Sequence, residues 1–189
     1  MSGAKNKPDW ITAICTIVIT LTGIGALVYA HFQLKQIHEE AQVERLLKEV
    51  DKWDQEPVVS YRKLCAQQKL QGVSDPYSED QVLNFFETMG ELVDEGYLNE
   101  QGVWENFSDD IEHIYSDAHV MIEKEQREDD PTVYLHFVSL ARRMLAIDKK
   151  KGLDDSLYDE GAIEQYWQQE SQVIAGVPTI HRRSKAKNK

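Results

Sequence analysis

Asp110 and His113 stand three residues apart, the carboxylate–imidazole spacing that helical bundles use to hold di-metal centres. They sit within a crowd of ligand-type side chains: Asp109, Asp110, Glu112, His113, Asp117, His119 and Glu123. His113 and Asp117 share a helix face at i, i+4. A di-metal site needs a second carboxylate-x-x-His pair and two more inward carboxylates. Glu87, Glu91, Asp94 and Glu95 offer carboxylates, but His136 stands alone on the next helix. Asp110, His113 and Asp117 are therefore the candidates for a metal, and a solvated acidic face is the reading to weigh against them. No cofactor is expected.

Other catalytic chemistry has less to build on. Cys65 falls on an apolar helical face, where a cysteine serves as a small core residue. No serine sits at a strand–turn–helix elbow, and there is no glycine-rich phosphate loop. The pairs Asp109-Asp110, Asp129-Asp130 and Asp154-Asp155 read as helix caps and turns. The expectation is not an enzyme.

The elements that must carry these residues divide the chain into two materials. From Trp10 to Leu34 there are 25 residues without Asp, Glu, Lys or Arg. As a helix that run spans roughly 37 Å, more than the ~30 Å hydrocarbon core of a bilayer. Trp10 at one end and Tyr29 and Phe32 at the other suit the two interfaces. The run predicts a single-pass transmembrane helix. A cleaved signal peptide is the rival, with Lys5 and Lys7 as its basic region and Val28-Tyr29-Ala30 as its cut, but the apolar run is too long for one. Lys35, Arg45, Lys48 and Lys52 follow the span, which leans the larger domain toward the cytoplasmic side of a plasma (inner) membrane. Thr12, Thr16 and Thr20 repeat every four residues, as do Thr22 and Ala26 on another face; small residues so placed let helices approach.

Beyond the span the periodicity stays helical and no strand alternation appears. The expected fold is all-α: one N-terminal transmembrane helix continuing into a stalk helix, then a compact bundle of about five helices. The expected divisions are a short N-tail over 1–9, the transmembrane helix over 10–34, the stalk over 35–56, an acidic helical domain over 57–170 and a basic tail over 171–189. In the stalk, Val43, Leu46, Val50 and Trp53 keep coiled-coil spacing for barely two heptads, so packing on its own domain is the simpler use. Ser78 with Gln81 has capping-box spacing for a helix carrying Val82, Phe85, Phe86, Met89 and Val93. A short helix over Val103–Phe107, a longer one opened by Ser108 or Asp109, and another over Thr132–Lys149 follow. A last short helix holds Ile163, Tyr166 and Trp167.

Charge is equally uneven. Between Gly72 and Glu170 there are 25 acidic and 7 basic residues, a balance of −18. Such a body repels polyanions, and no nucleic-acid partner is expected. The end of the chain is basic, with Arg182, Arg183, Lys185, Lys187 and Lys189, a stretch suited to anionic lipid.

The run Val82-Leu-Asn-Phe-Phe-Glu-Thr-Met-Gly-Glu-Leu-Val, then Glu95-Gly-Tyr-Leu-Asn-Glu, then Val103-Trp-Glu-Asn-Phe resembles a family of small, often membrane-anchored bacterial and phage helical proteins catalogued as a domain of unknown function. The resemblance extends from about Tyr61 to Ala146. It implies a helical domain behind an N-terminal span and brings no activity, cofactor or catalytic residue. The expectation is a membrane-anchored interaction module, an accessory or scaffold subunit of a bacterial membrane complex. Its partners would be the lipid bilayer and another membrane protein or itself. A metal-dependent membrane-bound enzyme and a homo-oligomeric membrane effector of stress or phage defence are the alternatives.

Overall fold

The computed structural model describes residues 9–73, 76–154 and 156–178. Six helices follow in order: α1 (Asp9–Trp53), α2 (Val58–Gln71), α3 (Pro76–Asp94), α4 (Glu100–Glu128), α5 (Leu135–Lys151) and α6 (Glu160–Glu170). No strand occurs among the described residues, so the chain is all-α, with a long apolar helix ahead of five bundle helices.

α1 runs 45 residues without a break. Its apolar part is long and apolar enough to cross a membrane, and none of its most apolar stretch is buried. Trp10, Tyr29 and Phe32 are all exposed. The chain separates into two compact units at Ala41/Gln42, inside α1. The last three turns of α1 thus belong to the second unit, where Leu46 and Val50 pack against the core and Trp53 lies within it. These three of the four coiled-coil-spaced positions serve the chain's own domain, while Val43 stays exposed.

Inside the second unit α3 packs on α5 and α2, α4 packs on α5 and α6, and α2 packs on α6. The centre is aromatic. The Trp53 ring lies 4.8 Å from Phe85 and 4.9 Å from Phe86, and Phe86 stacks on Phe137 at 5.9 Å. Burying each such side chain contributes roughly 1.5–3 kcal/mol.

Three boundaries differ from the sequence expectation, each for a local reason. Ser78 does not cap α3: the helix already starts at Pro76, and the buried Ser78 hydroxyl donates to Gln68 Oε1 at 2.7 Å. Proline fits that first helical position because its missing N–H would have no intrahelical partner. The expected break at Ser108 is absent. Asn99 caps the start by accepting from the Gly102 N–H, and α4 continues for 29 residues with Ser108 buried inside it. Finally, α5 begins at Leu135, not Thr132, because Asp130 Oδ1 accepts from both the backbone and the hydroxyl of Thr132 and holds a turn there.

The α5 N-terminus is capped from another helix. Tyr134 precedes it in the left-handed region (φ 50°) and offers no side-chain cap. Glu87 of α3 instead accepts from the N–H of His136 at 3.2 Å and of Phe137 at 2.7 Å. A carboxylate there satisfies two orphan donors and complements the helix dipole. This close approach depends on Gly90: a Cβ on it would meet the His136 carbonyl oxygen at 2.4 Å.

Gly90→Ala should therefore force α3 and α5 apart, destabilising the domain by about 2 kcal/mol. Gly102→Ala, where the new methyl presses on the flexible end of Leu46 and touches Asn99 Cβ at 4.0 Å, should stay within about 1 kcal/mol of the parent. Denaturant unfolding of the full chain in detergent, followed by circular dichroism, checks both.

Candidate functional site

A charged residue on an apolar helix face must find a partner or be expelled. On α2 the inward positions are Val58, Val59, Cys65 and Ala66, and Arg62 falls among them with 1% of its surface exposed. Its guanidinium donates to both carboxylate oxygens of Glu170, at 2.7 and 2.8 Å, and Glu170 itself is 0% exposed. Its third donor reaches the Trp53 carbonyl at 2.9 Å, closing the C-terminal end of α1 with a cation. The guanidinium also lies 4.0 Å from the centroid of the Trp53 ring, a cation–π contact. One side chain thus ties together α1, α2 and α6. Burial by itself would lower the Arg62 pKa, but the hydrogen bonds and charge of Glu170 outweigh it and hold it above the ordinary arginine value.

A second polar layer continues from this pair. Tyr166 of α6 donates its hydroxyl to Asp110 Oδ1 at 3.1 Å. Burial first, then the charges of Glu170 and Asp110, push the Tyr166 phenol well above its usual pKa, so it remains a donor. The His113 ring stacks between Tyr158 at 3.6 Å and Tyr166 at 4.7 Å. His113 Nδ1 is 2.8 Å from the Asp109 carbonyl oxygen, and Tyr158 donates its hydroxyl to Asp109 Oδ1 at 3.0 Å. α4, α6 and the segment between α5 and α6 are joined by these contacts.

The metal candidates are drawn to different partners. Asp110 accepts from Tyr166, His113 sits in the ring stack, and Asp117 pairs with Lys69 at 2.9 Å. Among the described residues no three His, Cys, Asp or Glu side chains group as ligands. The solvated-face reading of this stretch is corrected as well: Asp110, Glu112 and His113 are 4%, 2% and 6% exposed. So is the reading of Asp109-Asp110 as a helix cap, since both lie inside α4. α4 packs on α3, α5 and α6, and Tyr166 of α6 lies against Asp110 and His113.

Lys69 forms a smaller clasp, bridging Glu79 of α3 at 2.7 Å and Asp117 of α4. A cavity of about 10 Å³ beside it is lined by Cys65, Asp117 and Trp167 among others, room for one water at most. Burial pushes the Cys65 thiol up to about 12, far from a nucleophile's range. In α1, Thr20 and Thr22 donate to the carbonyls of Thr16 and Val18, one turn back along the helix. Thr16, Thr20, Thr22 and Ala26 are exposed. The Thr12 side chain lies outside the described residues, as do Arg182, Arg183, Lys185, Lys187 and Lys189.

Sequence reasoning missed the central pair. The available signal was Arg62 itself, a charge at the helical spacing of Val58 and Cys65. Nothing local marked Glu170 as its partner 108 residues away.

Removing either partner leaves the other charge buried and unpaired. Arg62→Met and Glu170→Leu should each cost about 3–5 kcal/mol. The double variant should cost far less than their sum, because no orphan charge remains. A double-mutant cycle by denaturant unfolding reads this; additive losses would contradict it. In a Cys15→Ser background, Cys65 should resist alkylation at pH 8 while folded and react once denatured. Mass spectrometry of the adduct decides, and rapid native labelling would refute a buried, neutral thiol.

The model of one family, "Domain of unknown function (DUF4760)", matches residues 20–144. No curated protein and no solved structure matches the chain. The matched stretch starts within the apolar part of α1 and ends in α5, short of α6. Arg62 thus lies inside the matched region, and its partner Glu170 lies outside it. With about two thirds of its length matched, the chain belongs to the DUF4760 family.

Proposed function

We propose that this protein is a membrane-anchored helical interaction module, an accessory or scaffold subunit of a bacterial membrane complex. One observation carries the reading. The apolar half of α1 is exposed along its length, with Ile19 72%, Leu21 64% and Leu27 73% exposed, while the bundle completes a core without it. So much exposed apolar surface calls for lipid or another helix. The polar side chains of the bundle meanwhile converge on one another and on the core, so the surface is what remains to serve a partner.

In this reading α1 crosses the plasma membrane once and residues 42–178 stand on the cytoplasmic side. Lys35, Arg45, Lys48 and Lys52 directly after the apolar run favour that orientation. Partners in the bilayer would meet the faces bearing Thr16 and Thr20 or Thr22 and Ala26. The threonine hydroxyls are bonded within their own helix, so close packing of small side chains would drive that contact. The basic residues from Arg182 to Lys189 suit anionic headgroups on the same side.

Two measurements test the proposal. The full chain should stay in the membrane pellet after alkaline carbonate washing, and Leu21→Arg with Ile24→Arg should release it, each arginine costing about 2.5–3.5 kcal/mol near mid-membrane. A soluble parent, or a mature chain lacking the first ~30 residues as a signal peptide would, would defeat the anchor. Native mass spectrometry after gentle extraction from the host should then show a second polypeptide in fixed ratio. Its absence would remove the accessory-subunit role and leave the anchor standing.

A further inference from the structure

α5 is the exception in an acidic domain. Of the 7 basic residues between Gly72 and Glu170, Arg142, Arg143, Lys149, Lys150 and Lys151 fall on this one helix. Its single acid, Asp148, is turned inward, 1% exposed, and accepts a hydrogen bond from Trp104 at 2.8 Å. Phe137, Leu140, Ala141 and Met144 fill the core-facing side. The opposite side, at steps of three and four residues, carries Leu135, Ser139, Arg142 and Ala146. Leu135 is 50% exposed, and Arg142 and Ala146 are exposed too.

A groove of about 440 Å³ runs along this face. It is lined by Leu135, Val138, Ser139, Arg142, Arg143 and Ala146, all from α5. Helix surfaces pack by setting ridges into grooves, and a groove walled by a single helix is half of such a contact. Its floor is apolar and Arg142 stands at its rim, while Arg143 is held by Asp94 and Glu100 of the same chain.

The same chain displays the complementary surface. From Leu153 to Glu164 there is no basic residue. Asp154, Asp159, Glu160 and Glu164 are exposed there, and Leu157 is 39% exposed among them. An apolar side chain framed by carboxylates complements, in polarity and charge, an apolar groove bordered by the Arg142 guanidinium. We propose that the α5 groove is the docking site for a second copy of this chain, each protomer placing its Leu157 segment against the partner's α5. A twofold pair makes this contact twice, since every copy carries both surfaces. The acidity of the rest of the domain disfavours nucleic acid and anionic lipid as occupants. The pairing involves α5 and the segment after it, so it stands whether or not α1 crosses a membrane.

The test weighs the full-length chain in a neutral detergent by light scattering, at roughly 0.05 M and 0.5 M salt to vary screening. The expected protein mass at low salt is twice the 21.8 kDa protomer, with dissociation at high salt. Arg142→Glu should weaken the dimer at least ~10-fold. Adding Glu160→Arg and Glu164→Arg to that chain should restore it. Leu135→Asp should also disrupt it, and retained protection of Cys65 shows that each variant is folded. A monomer at low salt overturns the proposal. So does an oligomer that ignores salt, Arg142→Glu and Leu135→Asp together, which would place self-association elsewhere, as in α1.

Discussion

A guanidinium in a protein interior has to be matched in charge and in hydrogen bonds, or its desolvation exceeds what the fold can offset. Arg62 meets this demand through three contacts at once: the carboxylate of α6, the last carbonyl of α1 and the Trp53 ring. The rest of the bundle follows from it. α6 must lie against α2 to bring in Glu170, and so Tyr166 is placed beside Asp110 and its ring against His113. The acidic middle of α4 is thereby buried instead of solvated. A buried ion pair adds little net stability over well-packed apolar side chains, whereas losing one partner strands the other charge. Here that couples α2 to α6 and to the inward end of α1.

The apolar half of α1 obeys a different constraint. Its side chains have no core to enter, while Leu46, Val50 and Trp53 on the same helix do. A single 45-residue helix is therefore exposed over its apolar half and packed on the core over its last turns, the compact unit beginning at Gln42. Composition changes seven residues earlier, at Lys35, the first charge after Asp9.

Much of the fold was legible because periodicity reports burial. The apolar faces carrying Val82, Phe86 and Met89, or Phe137, Leu140 and Met144, were readable from spacing and are buried. Boundaries were less readable, since they depend on side chains reaching across elements. Ser78 resembles a helix cap until Gln68 takes its hydroxyl. Tyr134 offers no cap, yet α5 starts beside it because Glu87 arrives from α3. The polar centre was least legible. Asp110, Glu112 and His113 look like a wet face from composition, yet all three are interior, with Tyr158 and Tyr166 closing over His113 and Tyr166 bonded to Asp110. Their proximity along one helix suggested joint ligation, whereas Asp110 and His113 meet the tyrosines of the α6 side and Asp117 pairs with Lys69. The family match adds membership and no chemistry, and it stops before the helix that completes the polar centre.

The distance along the chain between Arg62 and Glu170 also sets an order of events during synthesis. α2 emerges from the ribosome well before α6, and 108 residues separate the two charges. At ~5–20 residues per second that gap lasts roughly 5–20 s. Throughout it Arg62 has the Trp53 carbonyl and the Asp54 carboxylate within reach but not Glu170, so the face of α2 that α6 covers stays open to water until nearly all of the domain has been made.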